Sequence, residues 1–237
     1  MSTNYVYRLL ILGCIVLPWA FVIRGSSVET VVAGLSKRLS MDLALSDFAY
    51  LHDSQFWGIL VILSTPHVFY FFVWTNANKF HDIFKTNSVL KMMGEPFEVF
   101  ARLAHSIKVV QFSAFAAWYL SVETPDALKS YLLDTSWAHF LLCAQCVLFG
   151  QFFNAAVYKA IGEAGVYYGC RLGVQVPWVD GFPYNAVPHA QYLGASLSFW
   201  GMFLALATPA AVASGILTLG AAMTIFYTFS SYVEQCL

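Results

Sequence analysis

Residues 161–198 concentrate the side chains most able to do chemistry. Gly165, Gly169 and Gly173 recur every four residues, so on a helix they would share one face. Such a face either packs closely against another helix or lets bare backbone approach a ligand. Tyr167, Tyr168, Trp178, Tyr184 and Tyr192 supply aromatic faces. Arg171, Asp180, Asn185, His189 and Gln191 supply polar groups, and Pro177, Pro183 and Pro188 stiffen the path. An aromatic-rich, nearly neutral pocket suits a cationic ligand through cation–π contacts. The same Trp and Tyr residues also suit an ordinary interfacial belt.

A second set of polar residues is scattered through apolar stretches: His67, Lys108, Gln111, His139, Gln145, Gln151 and Asn154. Ionisable groups inside a membrane are functional candidates. Lys108 and Gln111 lie one helical turn apart, and Lys108 either meets a lipid phosphate or snorkels to the interface. Cys143 and Cys146 form a CxxC within a spanning stretch, where two small apolar residues are the expected reading rather than a redox pair. No metal site is expected.

The elements that position these residues follow from composition. Of 237 residues, 59% are hydrophobic and 11% charged. Soluble domains run at ~25% charged, so this chain cannot cover itself with a water-compatible surface. A net charge of -1 gives no footprint for nucleic acid. An all-α integral membrane protein with five or six transmembrane helices is expected, each span needing ~20 apolar residues. The predicted spans are 5–23, 56–75, 105–122 and 136–158, and a long last block, 192–232, turns at Thr208-Pro209 as a helical hairpin. Residues 26–54 read as an interfacial segment. Residues 76–104 read as a polar loop and 123–135 as a short acidic turn. Two units result: an N-terminal helix with its interfacial segment (1–55) and a membrane domain (56–237).

Lys79, Lys85, Lys91 and Arg102 make 76–104 the most basic connection, which should face the cytoplasm or an equivalent compartment. The chain then returns to this basic side at 159–191. Glu234 ends there too if the last block crosses twice.

The run IGEAGVYYGCRLGVQVPWV (161–179), with GFPYN (181–185) and HAQYLGASLS (189–198), resembles the phospholipid N-methyltransferases, most closely their plant-type branch. AHSIKVVQF (104–112), GQFFNAAVYKAIGEAG (150–165) and YVE (232–234) follow the same pattern in the same order. The resemblance covers roughly residues 69–234. It implies a methyltransferase-type membrane bundle and methylation of phosphatidylethanolamine, or its mono- and dimethyl forms, by S-adenosylmethionine. By position it implies cofactor binding by Gly162, Gly165, Gly169, Gln191, Tyr192, Gly194 and Glu234. Three departures stand out. Ala190 replaces the family's proline, Val233 precedes Glu234 where another branch has a second glutamate, and the family's charged tail beyond the glutamate has no counterpart.

The implied chemistry is in-line displacement at a sulfonium methyl by a neutral amine, for which positioning alone can lower the barrier by ~7–11 kcal/mol. The incoming ammonium must lose a proton. His189 and Glu234 are the catalytic candidates, with Asp180 and Glu163 nearby. Lys108, Trp178, Tyr184 and Asn185 are the candidates for holding the lipid, which is expected to enter sideways from the bilayer. The membrane is that of the endoplasmic reticulum or the mitochondrion. The alternative function is a catalytically silent structural subunit of a large membrane protein complex. A sterol-type reductase fits poorly, because 159–237 offers only Lys159 and Arg171 to a phosphorylated dinucleotide.

Overall fold

The computed structural model describes residues 45–187 and 189–236. The predicted first span at 5–23, most of the interfacial segment, and Pro188 lie outside the described residues. A short 3-10 segment, Leu45–His52, leads into α1, Ser54–Thr75. There follow α2 (Ala77–Thr86), α3 (Ser88–Met92), α4 (Pro96–Val122), α5 (Pro125–Asp134) and α6 (Trp137–Val166). An irregular stretch at 167–189 then leads to α7 (Ala190–Ala205), α8 (Pro209–Ala213) and α9 (Ile216–Cys236). The molecule is all-helical among the described residues. Of these helices, α1, α6 and α9 are long and apolar enough to cross a membrane.

Three elements differ from the sequence expectation. The polar loop at 76–104 contains α2 and α3, and α4 begins nine residues before the predicted span. Pro96 occupies the first turn of α4, and Glu98 accepts from the Glu95 amide at 3.1 Å, so the start is defined by capping rather than by hydropathy. The acidic turn at 123–135 is the helix α5, capped by Thr124 and started by Pro125. Most consequentially, α6 ends at Val166, so Gly169 and Gly173 lie beyond it and the four-residue glycine period marks no helix face.

Gly162 interrupts α6 with φ +69°, a backbone region that only glycine enters without strain. Gly165 and Gly169 then let the chain fold onto itself. A Cβ at Gly165 would strike the Ile161 side chain at 2.6 Å, and one at Gly169 would strike the Ala164 carbonyl at 2.7 Å. The Gly169 amide donates to that same carbonyl at 2.6 Å.

The predicted hairpin is present as α7, the short α8 and α9. Thr208 caps α8, accepting from the Ala211 amide, and Pro209 starts it. α7 lies antiparallel to α6 at very close range. A Cβ on Gly150 would meet the Gly194 carbonyl at 2.4 Å, and one on Gly201 the Cys143 carbonyl at 2.6 Å. Gln151 donates to Ser198 at 2.9 Å in the same seam. Small residues permit this approach, the usual device of helix association in lipid. Cys143 and Cys146 are both free thiols beside it.

α1 and α4 cross beside this pair. α1 continues through Pro66, which can donate no amide proton to its helix. Gln111 of α4 reaches across and donates to the buried Leu63 carbonyl at 2.8 Å. Two apolar clusters hold the ends of the bundle. Around Phe56, Phe115, Phe203 and Leu219, the Phe115 and Phe203 rings stack at 4.8 Å. Around Val73, Phe100, Val157 and Tyr168, the Phe100 and Tyr168 rings stack at 5.3 Å.

Candidate functional site

A cavity of about 940 Å³ runs along the bundle between these clusters. Its wall on α7 extends from Gln191 to Ala205 and on α6 from Tyr158 back to Phe140. From Gln191 to Ala205 the helix rises ~1.5 Å per residue, which makes this about 21 Å of helix axis. One end is polar: His105, Lys108, Asn154, Tyr158, Tyr167, Tyr168, Gln191 and Tyr192 face it. The other end is lined by Phe115, Phe140, Val147, Met202 and Phe203.

α4 and α6 make few contacts with each other. Phe112 of α4 and Leu148 of α6 line the cavity and are nevertheless 57% and 69% exposed. The cavity therefore opens sideways between these two helices, towards the side that faces lipid.

At the polar end Glu234 of α9 is held by two phenols. Tyr168 donates to its Oε1 at 2.5 Å, and Tyr192 donates to the same oxygen. Both tyrosines line the cavity, so the carboxylate sits one hydrogen bond behind its wall. Oε2 carries no hydrogen bond among the described residues. Two unusual backbones set this up. Tyr168 has φ +57°, and His189, which precedes α7 and points Tyr192 inward, has φ +55°. Non-glycine residues at positive φ cost energy and gather at functional sites. Burial, followed by the neighbouring Tyr192 and Glu234, pushes the Tyr168 phenol well above its ordinary range, so it stays a neutral donor. Burial and Glu234 likewise raise Tyr184.

A second polar chain runs beside the first. Tyr158 donates to the Tyr167 hydroxyl at 2.9 Å, and Tyr167 meets His105 Nε2 at 3.1 Å. Burial pushes the Tyr167 phenol up as well. Lys108 lies one turn beyond His105 and faces the cavity, and no carboxylate pairs with it among the described residues. The Tyr70 hydroxyl, buried on the same cavity, has no hydrogen-bond partner. A lone cation and an unpartnered hydroxyl make this end suited to an anionic group.

The sequence-predicted residues divide as follows. Gln191, Tyr192 and Lys108 line the cavity, and Glu234 bonds to its wall. Gly194 is taken up by the crossing with Gly150, and Gly165 and Gly169 by local chain packing. Gly162 has no atom within 4 Å of where a Cβ would stand, so its bare backbone faces open space. His189, Tyr184 and Asn185 are outside the cavity lining. Trp178 is 90% exposed and donates to Asp180 at 2.7 Å. Arg171 instead lies over the Trp74 ring, 4.4 Å from its centroid.

Sequence reasoning missed His105, Tyr158 and Tyr70 and left Tyr167 and Tyr168 as general aromatic faces. A usable signal was the Tyr-Tyr pair placed just past the end of a long apolar helix. The distance from α4 to that pair is a tertiary fact that no local pattern carries.

Comparison with known proteins adds the following. The family model described as phospholipid methyltransferase matches residues 137–236, the segment holding α6 to α9. A phosphatidyl-N-methylethanolamine N-methyltransferase from Arabidopsis thaliana is 34% identical over 143 residues, which is 60% of this chain and 75% of that relative. No solved structure matches the chain.

Proposed function

The chain belongs to the phospholipid methyltransferase family, and from that premise we propose that it methylates the amine of a phospholipid headgroup. The substrate is phosphatidylethanolamine or its mono- and dimethyl derivatives, and the methyl donor is S-adenosylmethionine. The product series leads to phosphatidylcholine. The catalytic unit is residues 56–237.

The observation that carries this reading is the carboxylate of Glu234, fixed by Tyr168 and Tyr192 at the polar end of an otherwise apolar cavity. The residues fit the donor. A carboxylate with one open oxygen can take an ammonium or ribose hydroxyls. Tyrosine faces suit a sulfonium cation. The open backbone at Gly162 and the amide of Gln191 are further places for it. When bound, S-adenosylmethionine supplies an electrophilic methyl.

The protein's own part is to bind and align. Lys108 and the Tyr70 hydroxyl hold the lipid phosphate, which brings the amine to the tyrosine-lined end. Exclusion of water by the aromatic walls favours the neutral amine over its charged form. Glu234 Oε2 is the carboxylate oxygen assigned to accept the departing proton, and His189, just before α7, is the imidazole assigned to relay it to the surface. The opening between α4 and α6 lets the lipid arrive without leaving the bilayer.

The test is methyl transfer by the purified protein in lipid, with label in the methyl of S-adenosylmethionine. Phosphatidylethanolamine and its mono- and dimethyl forms are offered separately. Label is expected in at least one lipid, and Glu234→Gln is expected to lower the rate at least about a hundredfold, the scale of a lost general base. No label in any lipid, with no cofactor binding, would overturn the reading.

A further inference from the structure

The cavity is longer than headgroup chemistry requires. Resting on the reading above, we propose that it takes one acyl chain of the phospholipid being methylated, and that its far end, where α6 and α7 are tied together, selects for chain length. The hydrocarbon of one leaflet is ~15 Å deep, half of a ~30 Å core. The cavity follows α7 for about 21 Å. One acyl chain therefore fits along it, with a few ångströms left at the polar end for phosphate and amine.

Three observations favour an acyl chain over any other occupant. The wall beyond Lys108 is mainly aromatic and aliphatic and carries no charge, and its polar side chains Gln111, Gln151 and Ser198 are hydrogen-bonded within the protein. The sideways opening at Phe112 and Leu148 admits a chain from the lipid side. Lys108, unpaired, stands where the phosphate of such a lipid would come to rest.

At the far end α6 and α7 are fastened together. Phe140 lines it, and His139 Nε2 lies 2.9 Å from the Leu204 carbonyl, fastening the start of α6 to the end of α7. A chain that runs along the cavity to this end has no further room there, because forcing bulk into a packed apolar site is destabilising. Hydrocarbon gains little by moving from lipid into protein, since lipid tails are as apolar as the wall. Selection therefore comes from shape, and it is altered by changing the depth of the tube.

The experiment uses the full-length protein in mixed micelles with labelled S-adenosylmethionine. Phosphatidylethanolamine and its mono- and dimethyl forms are each offered with two identical saturated or monounsaturated chains of increasing length, from six carbons upward. Ala144→Phe shortens the tube one turn from Phe140, and Met202→Trp shortens it from the opposite helix. Phe140→Ala deepens it. The shortened variants should lose at least about tenfold in kcat/KM for the long-chain substrate and keep the six-carbon rate within about twofold. Phe140→Ala should move the optimum to longer chains.

Equal loss on short and long substrates in both shortened variants would overturn the proposal. So would a wild-type rate indifferent to chain length. Activity on the six-carbon substrate keeps the methyltransferase reading separate, because it persists even if the apolar half holds no chain. Absence of label in all three lipids at every chain length, with no cofactor binding, overturns that reading instead.

Discussion

Glu234 shows how one residue acquires a role from two others. A half-buried carboxylate near the end of an apolar helix would be costly alone. Two phenols donating to one oxygen offset that cost, each charge-assisted bond contributing ~1.5–3 kcal/mol. Tyr168→Phe and Tyr192→Phe should each weaken cofactor affinity about tenfold, and the double variant should lose less than the product, because both act through one oxygen. Isothermal titration with S-adenosylmethionine measures this, and strict additivity would separate the tyrosines from Glu234. The phenols also set an alkaline limit. Burial raises Tyr167 and Tyr168 above the ordinary ~10. In that range the unfolded chain sheds protons that the folded one keeps, so stability falls as pH rises past ~10. Melting followed between pH 8 and 11 should show that fall, reduced in Tyr168→Phe. Glu234, Gln191, Tyr192 and Lys108 were legible in the sequence because motif and residue type mark them. Tyr168 and His105 were not, because their importance lies in what they face.

At the scale of elements, the α6–α7 crossing is the structural foundation of the cavity. Gly150, Gly194, Ser198 and Gly201 bring two backbones together, so that the walls on either side stay parallel along the whole tube. Gly150→Val would place branched carbon where the Gly194 carbonyl already stands. It should cost several kcal/mol, as overpacking typically costs ~1–3 and here the obstacle is backbone. The expected result is a large drop in melting temperature in detergent, with loss of activity on every substrate. An unchanged melting point would mean that the helices cross further apart. Sequence periodicity pointed to a different set of glycines, 165, 169 and 173. The period was real, but Gly162 breaks the helix just before it. A four-residue spacing carries facial meaning only while the helix lasts. The start of α4 was missed for a related reason: Glu95, Pro96 and Glu98 define it by capping, which a hydropathy window ignores.

At the scale of the molecule, the hairpin parity inferred from the sequence decides where the site lies. Two passes of the last block return Glu234 to the end at which 167–189 emerges, and the hydrogen bond from Tyr168 to Glu234 joins them. The same end carries Lys79, Lys85 and Lys91 on α2 and α3, Lys159 near the end of α6 and Arg171 beyond it. Basic residues next to spans stay on the cytoplasmic side. The polar mouth of the cavity should therefore face the cytoplasm or its equivalent compartment. Cys170 reports on this directly, because it is exposed on that end while Cys143 is buried in the bundle. In sealed vesicles with the cytoplasmic face outward, a variant keeping only Cys170 should react with a membrane-impermeant maleimide before any detergent is added. A variant keeping only Cys143 should resist until the protein is denatured. Reaction of Cys170 only after the vesicles are opened would invert the orientation. The cofactor would then have to reach the site from the opposite side, and the argument from basic residues would fail for this chain.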